Sequence, residues 1–156
     1  MDGTCIFEYK TRPAFGCIGE PGGYSICVFE SGDVVKCDYV FGDDDPRNET
    51  ILATMPELAK TIEGIVDNHA AELKGIPSEL DNGTLDGTCD YFRFGEKEIS
   101  AWTIERTLPD EVWIENPQYY EEFKENIKHE NLVLDVYDEI AAEINKRDVG
   151  IQLRIL

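Results

Sequence analysis

The chain has 156 residues, of which 42% are hydrophobic, and its 33 Asp and Glu residues against 14 Lys and Arg give a formal net charge of -19. This length fits one domain spanning residues 1–156, and the apolar content supports a core without disulfides or metals, so the charge does not indicate disorder. The acidic excess argues against nucleic-acid binding and against an anionic membrane surface, and it favours encounter with a basic partner protein.

Three strands are predicted in the first third of the chain, over Thr4–Lys10, Tyr24–Glu30 and Val34–Phe41, because these runs are rich in β-forming residues. The glycine-rich loop Thr11–Gly23 between the first two strands is followed by a strand instead of a helix, so it does not fit a phosphate cradle. We expect this loop to contact a partner.

Ser31-Gly32 predicts a two-residue hairpin turn between the second and third strands. In that register six residues share one half-buried face, in the opposing pairs Val28 and Val35, Ile26 and Cys37, and Tyr24 and Tyr39.

An acidic turn over Gly42–Arg47 contains Asp43, Asp44 and Asp45. Thr54 and Glu57 have the spacing of a capping box, which predicts a helix from this point to Lys74. A short helical turn over Ile76–Leu80 and a loop over Asp81–Gly87 follow.

A second hairpin is predicted from Thr88–Phe94 and Glu98–Glu105. Alternation divides its side chains between two faces. One face carries Phe92, Phe94, Ile99 and Ala101, and the other carries Tyr91, Arg93, Ser100 and Trp102.

The last helix is predicted to begin at Asn116 and Pro117 and to continue to Lys146. Its apolar stripe changes direction, which predicts a bend or break near Lys128–Asn131. Ile151–Leu156 is predicted to form a closing strand. The expected fold class is therefore α+β, a mainly antiparallel sheet of about six strands in the order β-β-β-α-β-β-α-β with two main helices packed on one face.

The cysteines and histidines predict neither a metal centre nor a thiol nucleophile. No two cysteines have the C-x-x-C spacing of a zinc ribbon, and their odd number gives no disulfide framework. With only His69 and His129 available as imidazoles, we expect no cofactor and no metal site. The sequence shows no basic and apolar leader and no run of ~20 apolar residues, so we expect a cytoplasmic protein with reduced thiols.

The leading hypothesis from these patterns is a non-enzymatic binding module for a basic partner protein, of the inhibitor or immunity type. Its candidate binding residues are the acidic triplet and an aromatic and arginine cluster on the second hairpin: Asp43, Asp44, Asp45, Tyr91, Arg93 and Trp102. The alternative is a small-ligand-binding protein or hydrolase with a carboxylate-lined cleft beside that hairpin, using Asp90, Glu105 and Arg106. A third hypothesis is a subunit whose sheet edge pairs with a copy of itself.

Overall fold

A mainly antiparallel sheet carries two long helices on one of its faces. The computed structural model describes residues 3–81, 87–108 and 114–155, so most of the loop predicted over Asp81–Gly87, and Leu156, lie outside the described residues. The elements in chain order are β1 (Cys5–Pro13), β2 (Pro21–Phe29), β3 (Asp33–Val40), β4 (Asn48–Thr54), α1 (Pro56–Asn68), α2 (Ala70–Lys74), β5 (Glu79–Leu80), β6 (Thr88–Phe94), β7 (Lys97–Trp102) and α3 (Pro117–Asn145).

The strands form one seven-stranded sheet in the order β4-β3-β2-β1-β6-β7-β5. All neighbouring strands are antiparallel except β5 and β7, which pair in parallel. The predicted α+β class, the mainly antiparallel sheet and the two main helices are confirmed. None of the helices in the described ranges has the length and apolar character needed to cross a lipid bilayer.

The two faces of the sheet differ in what covers them. On the covered face, Phe7, Phe92 and Phe94 are buried in one core with residues of α1 and α3. On the opposite face, which we call the open face, Cys27, Val35, Cys37 and Tyr39 form a smaller buried cluster. Among the described residues this second cluster contains strand residues only, and the cationic side chains of Lys10 and Arg12 lie against its Tyr39 ring.

The pairing between β2 and β3 differs by one residue from the prediction. Val28 lies opposite Val34 instead of Val35. The reason is a turn of three residues: Gly32 adopts a φ of 95° and its N–H donates to Phe29 O at 2.8 Å. A shift of one residue moves a whole strand to the other face. The six residues predicted to share a face are therefore split between the covered and open faces.

The strand β4 was not predicted: it occupies residues 48–53, to which no element was assigned, and Thr54, which was predicted as a helix cap. Thr54 is not an N-cap: it ends β4, and its hydroxyl donates to Asp33 Oδ1 at 2.7 Å. Met55 takes the N-cap position without a side-chain hydrogen bond, and its N–H donates to Gly32 O at 2.8 Å. This contact with the hairpin turn delays the helix until Pro56.

The predicted first helix is divided into α1 and α2 at His69, which leaves the helical conformation with φ -105° and ψ 4°. In contrast, α3 is one unbroken helix through the position where a bend or break was predicted. Asn131, at that position, bonds outside the helix through its side-chain amide. It donates to Thr107 O at 2.7 Å and accepts from Thr107 N at 3.0 Å, so it anchors the segment after β7 without disturbing the helix.

Two short segments also differ from their predictions. The predicted helical turn at Ile76–Leu80 instead contains β5, which pairs with β7. The predicted closing strand forms no strand over residues 151–155. Leu153 is nevertheless buried, because the Asn145 amide donates to its carbonyl at 2.8 Å and accepts from its N–H at 2.7 Å.

Candidate functional site

Two loops pack together at one end of the sheet, and we call them the loop end: residues 14–20, between β1 and β2, and residues 41–47, between β3 and β4. Gly19 N donates to Phe41 O at 3.1 Å, and Phe41 N donates to Glu20 O at 2.8 Å. A Cβ atom placed on Gly42 would lie 3.2 Å from Ile18 Cγ1, so the second loop passes closely under that side chain. The two loops therefore form one continuous surface.

The loop end exposes two large apolar side chains. Phe15 is 75% exposed and Ile18 is 88% exposed. Both belong to the glycine-rich loop for which a partner contact was predicted, although the loop is shorter than Thr11–Gly23 because β1 continues to Pro13 and β2 begins at Pro21. Large apolar side chains on a protruding surface with charged neighbours are typical of protein interaction sites.

The acidic triplet lies on the same surface and is directed into solvent. Asp43, Asp44 and Asp45 are all exposed, and Asp43 Oδ1 accepts from Asp45 N at 3.2 Å. Within the described ranges their one ion pair joins Asp44 Oδ1 to an Arg12 guanidinium nitrogen at 4.0 Å. Most of this negative charge is therefore available to an external cation.

A row of cationic and aromatic side chains extends from the loop end across the open face. The Arg12 guanidinium lies 4.7 Å from the Tyr39 ring centroid. Lys10 Nζ lies 5.7 Å from the same ring and 5.0 Å from the Tyr91 ring. This row connects the predicted acidic triplet to the predicted residue Tyr91 through residues that were not predicted.

The side chains of Tyr91 and Arg93 both bond to the carboxylate of Glu98. The Tyr91 hydroxyl donates to Glu98 Oε1 at 2.6 Å, and the Arg93 guanidinium pairs with the same oxygen. Burial, and then the hydrogen bond to Glu98, raise the pKa of Tyr91. The Tyr91 hydroxyl and the charge of Arg93 lower the pKa of Glu98. The charges of this group are thus balanced within the chain.

Trp102 lies on the same open face as Tyr91, on the neighbouring strand. It is 38% exposed and stands opposite Cys89. A shallow cavity of about 560 Å³ lies beside it, lined by Glu79, Leu80, Asp81, Cys89, Ser100 and Ala101. Burial, and then the negative charge of Asp90, raise the pKa of Cys89, so its thiol is not activated as a nucleophile.

The three residues of the alternative hypothesis have different surroundings. Asp90 is buried on the covered face, where it accepts hydrogen bonds from Thr11 Oγ1 at 2.8 Å and from Ile104 N at 2.8 Å. Arg106 pairs with Asp135 at 2.6 Å on α3, whereas Glu105 is exposed. Asp90 therefore has a structural role in holding the segment after β7.

No set of three or more His, Cys, Asp or Glu side chains in the described part of the chain has an arrangement that could hold a metal ion. Comparison with protein-family models and with curated proteins finds no match to this sequence.

The acidic triplet was predicted from the sequence, whereas Phe15 and Ile18 were not named as binding residues, although their loop was expected to contact a partner. The available signal was the position of Phe15 and Ile18 inside a short loop rich in glycine, where no regular strand or helix can turn them toward a core. Lys10, Arg12 and Tyr39 were not among the predicted binding residues, although Arg12 belongs to the loop that was expected to contact a partner. Only the sheet pairing shows that the three share a face.

Proposed function

We propose that this protein is a non-enzymatic, cytoplasmic binding module that recognises a basic partner protein through its loop end, as an inhibitor or immunity-type protein would. The observation that carries the proposal is the exposure of Phe15 and Ile18 beside three solvent-directed carboxylates. Such a surface supplies apolar anchors for affinity and a charged rim for specificity.

The net charge of -19 supports the same partner chemistry. A strongly negative protein attracts a positive surface from a distance and accelerates their encounter. The loop end adds local charge where the apolar contacts form. A basic partner with a shallow apolar depression therefore matches both the long-range and the short-range properties of this surface.

Site-specific photo-cross-linking in cells of the source organism tests the proposal. A photoreactive phenylalanine analogue replaces Phe15 or Ile18, and in a control chain it replaces Gln118, which is exposed at the start of α3. We expect both loop-end positions to cross-link the same protein of net positive charge, and the control position to give no cross-link to it.

The triple variant Asp43→Asn, Asp44→Asn, Asp45→Asn is a second control for the same experiment. It keeps the shape of the loop and removes three negative charges, so we expect a weaker cross-link to the same protein. If positions 15 and 18 capture no common protein, or capture an acidic one, the proposal is wrong.

A further inference from the structure

The free edge of the sheet at β4 extends the loop end. Among the described residues, β4 is the terminal strand of the sheet and pairs with β3 alone. It has seven residues, whereas β5 at the other edge has two. Because one edge of each terminal strand is unpaired, β4 presents a long row of backbone donors and acceptors to solvent.

β4 is only weakly protected as an edge strand, since it carries one charge, that of Glu49, and one bulge in its pairing with β3. Its sequence NETILAT contains no proline and no lysine, and residues 48–51 are exposed. Ile51 is 56% exposed on the open face. The bulge in the pairing with β3 lies beyond Ile51, toward Ala53, so Asn48–Ile51 remain a regular template.

Charge around the edge selects the chemistry of an added strand. Residues 41–54 contain four carboxylates, those of the acidic triplet and Glu49, against one guanidinium, that of Arg47. Glu49 and Ile51, two residues apart, both lie on the open face, opposite Cys37 and Val35 of β3. A strand added to β4 would place every second side chain beside them, so a cation two residues from an apolar side chain fits best.

We infer that β4 accepts an extended basic segment of the partner as an additional strand of the sheet. This inference rests on the proposed function and specifies its partner: a segment with Lys or Arg alternating with aliphatic residues, docked beside the acidic triplet. Backbone hydrogen bonds along β4 provide the affinity. Glu49 and Ile51 provide the specificity, because they select a cation and an apolar side chain two residues apart. A second copy of this chain is disfavoured as the occupant because two molecules of charge -19 repel each other.

The test uses a capped nine-residue peptide in which Lys alternates with Val, and the same peptide with Glu in place of Lys. Hydrogen exchange measured by mass spectrometry follows the amides of Asn48–Thr54 in the full chain. We expect the Lys peptide to slow exchange in β4 at least tenfold at saturation and the Glu peptide to have no effect. If the Lys peptide leaves the exchange of β4 unchanged, the inference is overturned.

Ile51→Lys and Ile155→Lys form a matched pair of variants, since Ile51 is 56% exposed and Ile155, after α3, is 53% exposed. We expect Ile51→Lys to weaken binding of the Lys peptide about tenfold, which corresponds to about 1.4 kcal/mol. Ile155→Lys should bind as the parent chain does. Equal affinities for the two variants would overturn the inference, and far-ultraviolet circular dichroism confirms that both are folded.

Two outcomes separate this inference from the proposed function. Cross-linking of a basic partner at positions 15 and 18, with unchanged exchange in β4 in that complex, keeps the proposed function and rejects the added strand. Protection of β4 by the Lys peptide, with no basic partner cross-linked in cells, keeps the added strand and rejects the proposed function. A homodimer with protected β4 amides in the free chain would assign the edge to a second copy and overturn the inference.

Discussion

The covered and open faces of the sheet use the same strands in different ways. On the covered face, aromatic rings pack on one another under two helices, with Phe92 5.3 Å from Tyr9 and 5.7 Å from Tyr137 between ring centroids. On the open face, a small cluster is bordered by charged side chains: Cys27 Sγ donates to Glu8 Oε2 at 2.8 Å, and Lys10 and Arg12 lie against the Tyr39 ring. We conclude that stability is concentrated on the covered face, which leaves the open face and its adjoining loops free for recognition.

The largest expected effect compares an aromatic residue from each face. Phe92→Ala removes a fully buried ring and should lower the free energy of unfolding by about 3–5 kcal/mol. Trp102→Ala removes a ring that is partly exposed on the open face and should lower it by about 1 kcal/mol. Urea denaturation measures both values. Equal losses would show that the open face is packed as firmly as the covered face.

A smaller loss of stability is expected when a carboxylate is removed from the covered face, and none when one is removed from the loop end. Asp90→Ala leaves the buried N–H of Ile104 without its acceptor, so it should reduce the free energy of unfolding by about 2–3 kcal/mol. Asp44→Ala at the loop end should leave the urea midpoint unchanged, because its side chain is fully solvated. A large loss for Asp44→Ala would mean that the acidic triplet serves the fold.

Two tyrosine hydroxyls sharpen the comparison further. The Tyr137 hydroxyl donates to Arg154 O at 3.0 Å beneath the covered face. Tyr137→Phe should therefore lower the free energy of unfolding by about 1 kcal/mol, and with it the thermal midpoint. Tyr91→Phe on the open face removes a solvent-exposed hydrogen bond to Glu98 and should leave the thermal midpoint unchanged. If the two substitutions lower the midpoint equally, hydrogen bonds on the open face contribute as much as those in the core.

The smallest expected effect depends on pH and concerns the helical layer. His69 Nε2 lies 2.9 Å from Glu139 of α3, and Nδ1 lies 3.3 Å from Glu72 of α2. Burial disfavours the imidazolium, but the hydrogen bonds and charges of Glu139 and Glu72 outweigh burial and raise the pKa of His69. The folded state therefore binds the proton more tightly than the unfolded state.

The contribution of His69 to stability is thus fully present below the unfolded pKa of about 6.5 and is lost as the pH rises through the higher folded pKa. We expect the free energy of unfolding of the parent chain to exceed that of His69→Gln by about 0.5 kcal/mol at pH 5.5, and most of this difference to be lost by pH 8.5. Urea denaturation at both pH values measures the gap. A gap that does not change with pH would contradict the ion pairs, and Glu139→Gln should remove most of the pH dependence.

The second hairpin was predicted with the correct faces, and the first hairpin was not. For the second, Gly95 and Glu96 form a two-residue turn. The faces were predicted correctly because either two-residue turn within Gly95–Lys97 places Phe92 and Phe94 on the face opposite Tyr91 and Arg93. In the first hairpin both faces carry apolar residues, so either register would bury a group of apolar side chains. The length of the turn at Gly32 therefore decides the register.

The candidate site was only partly predictable for the same reason. Charge is visible in sequence, so the acidic triplet was identified, but the neighbours of a loop depend on which strands the sheet brings together. β4 was missed because the spacing of Thr54 and Glu57 imitates a helix cap, although Thr54 instead bonds to Asp33 on the adjacent strand. Tertiary pairing overrides a local signal of this strength.

The most direct measurement is the dissociation constant of the cross-linked partner for the parent chain and for the triple Asn variant of positions 43–45, at 50 mM and 300 mM salt. We expect the variant to bind about tenfold more weakly at low salt, chiefly through slower association, and the difference to shrink at high salt because ions screen the exposed carboxylates. Identical dissociation constants for the two chains at both salt concentrations would contradict recognition of a basic partner at the loop end.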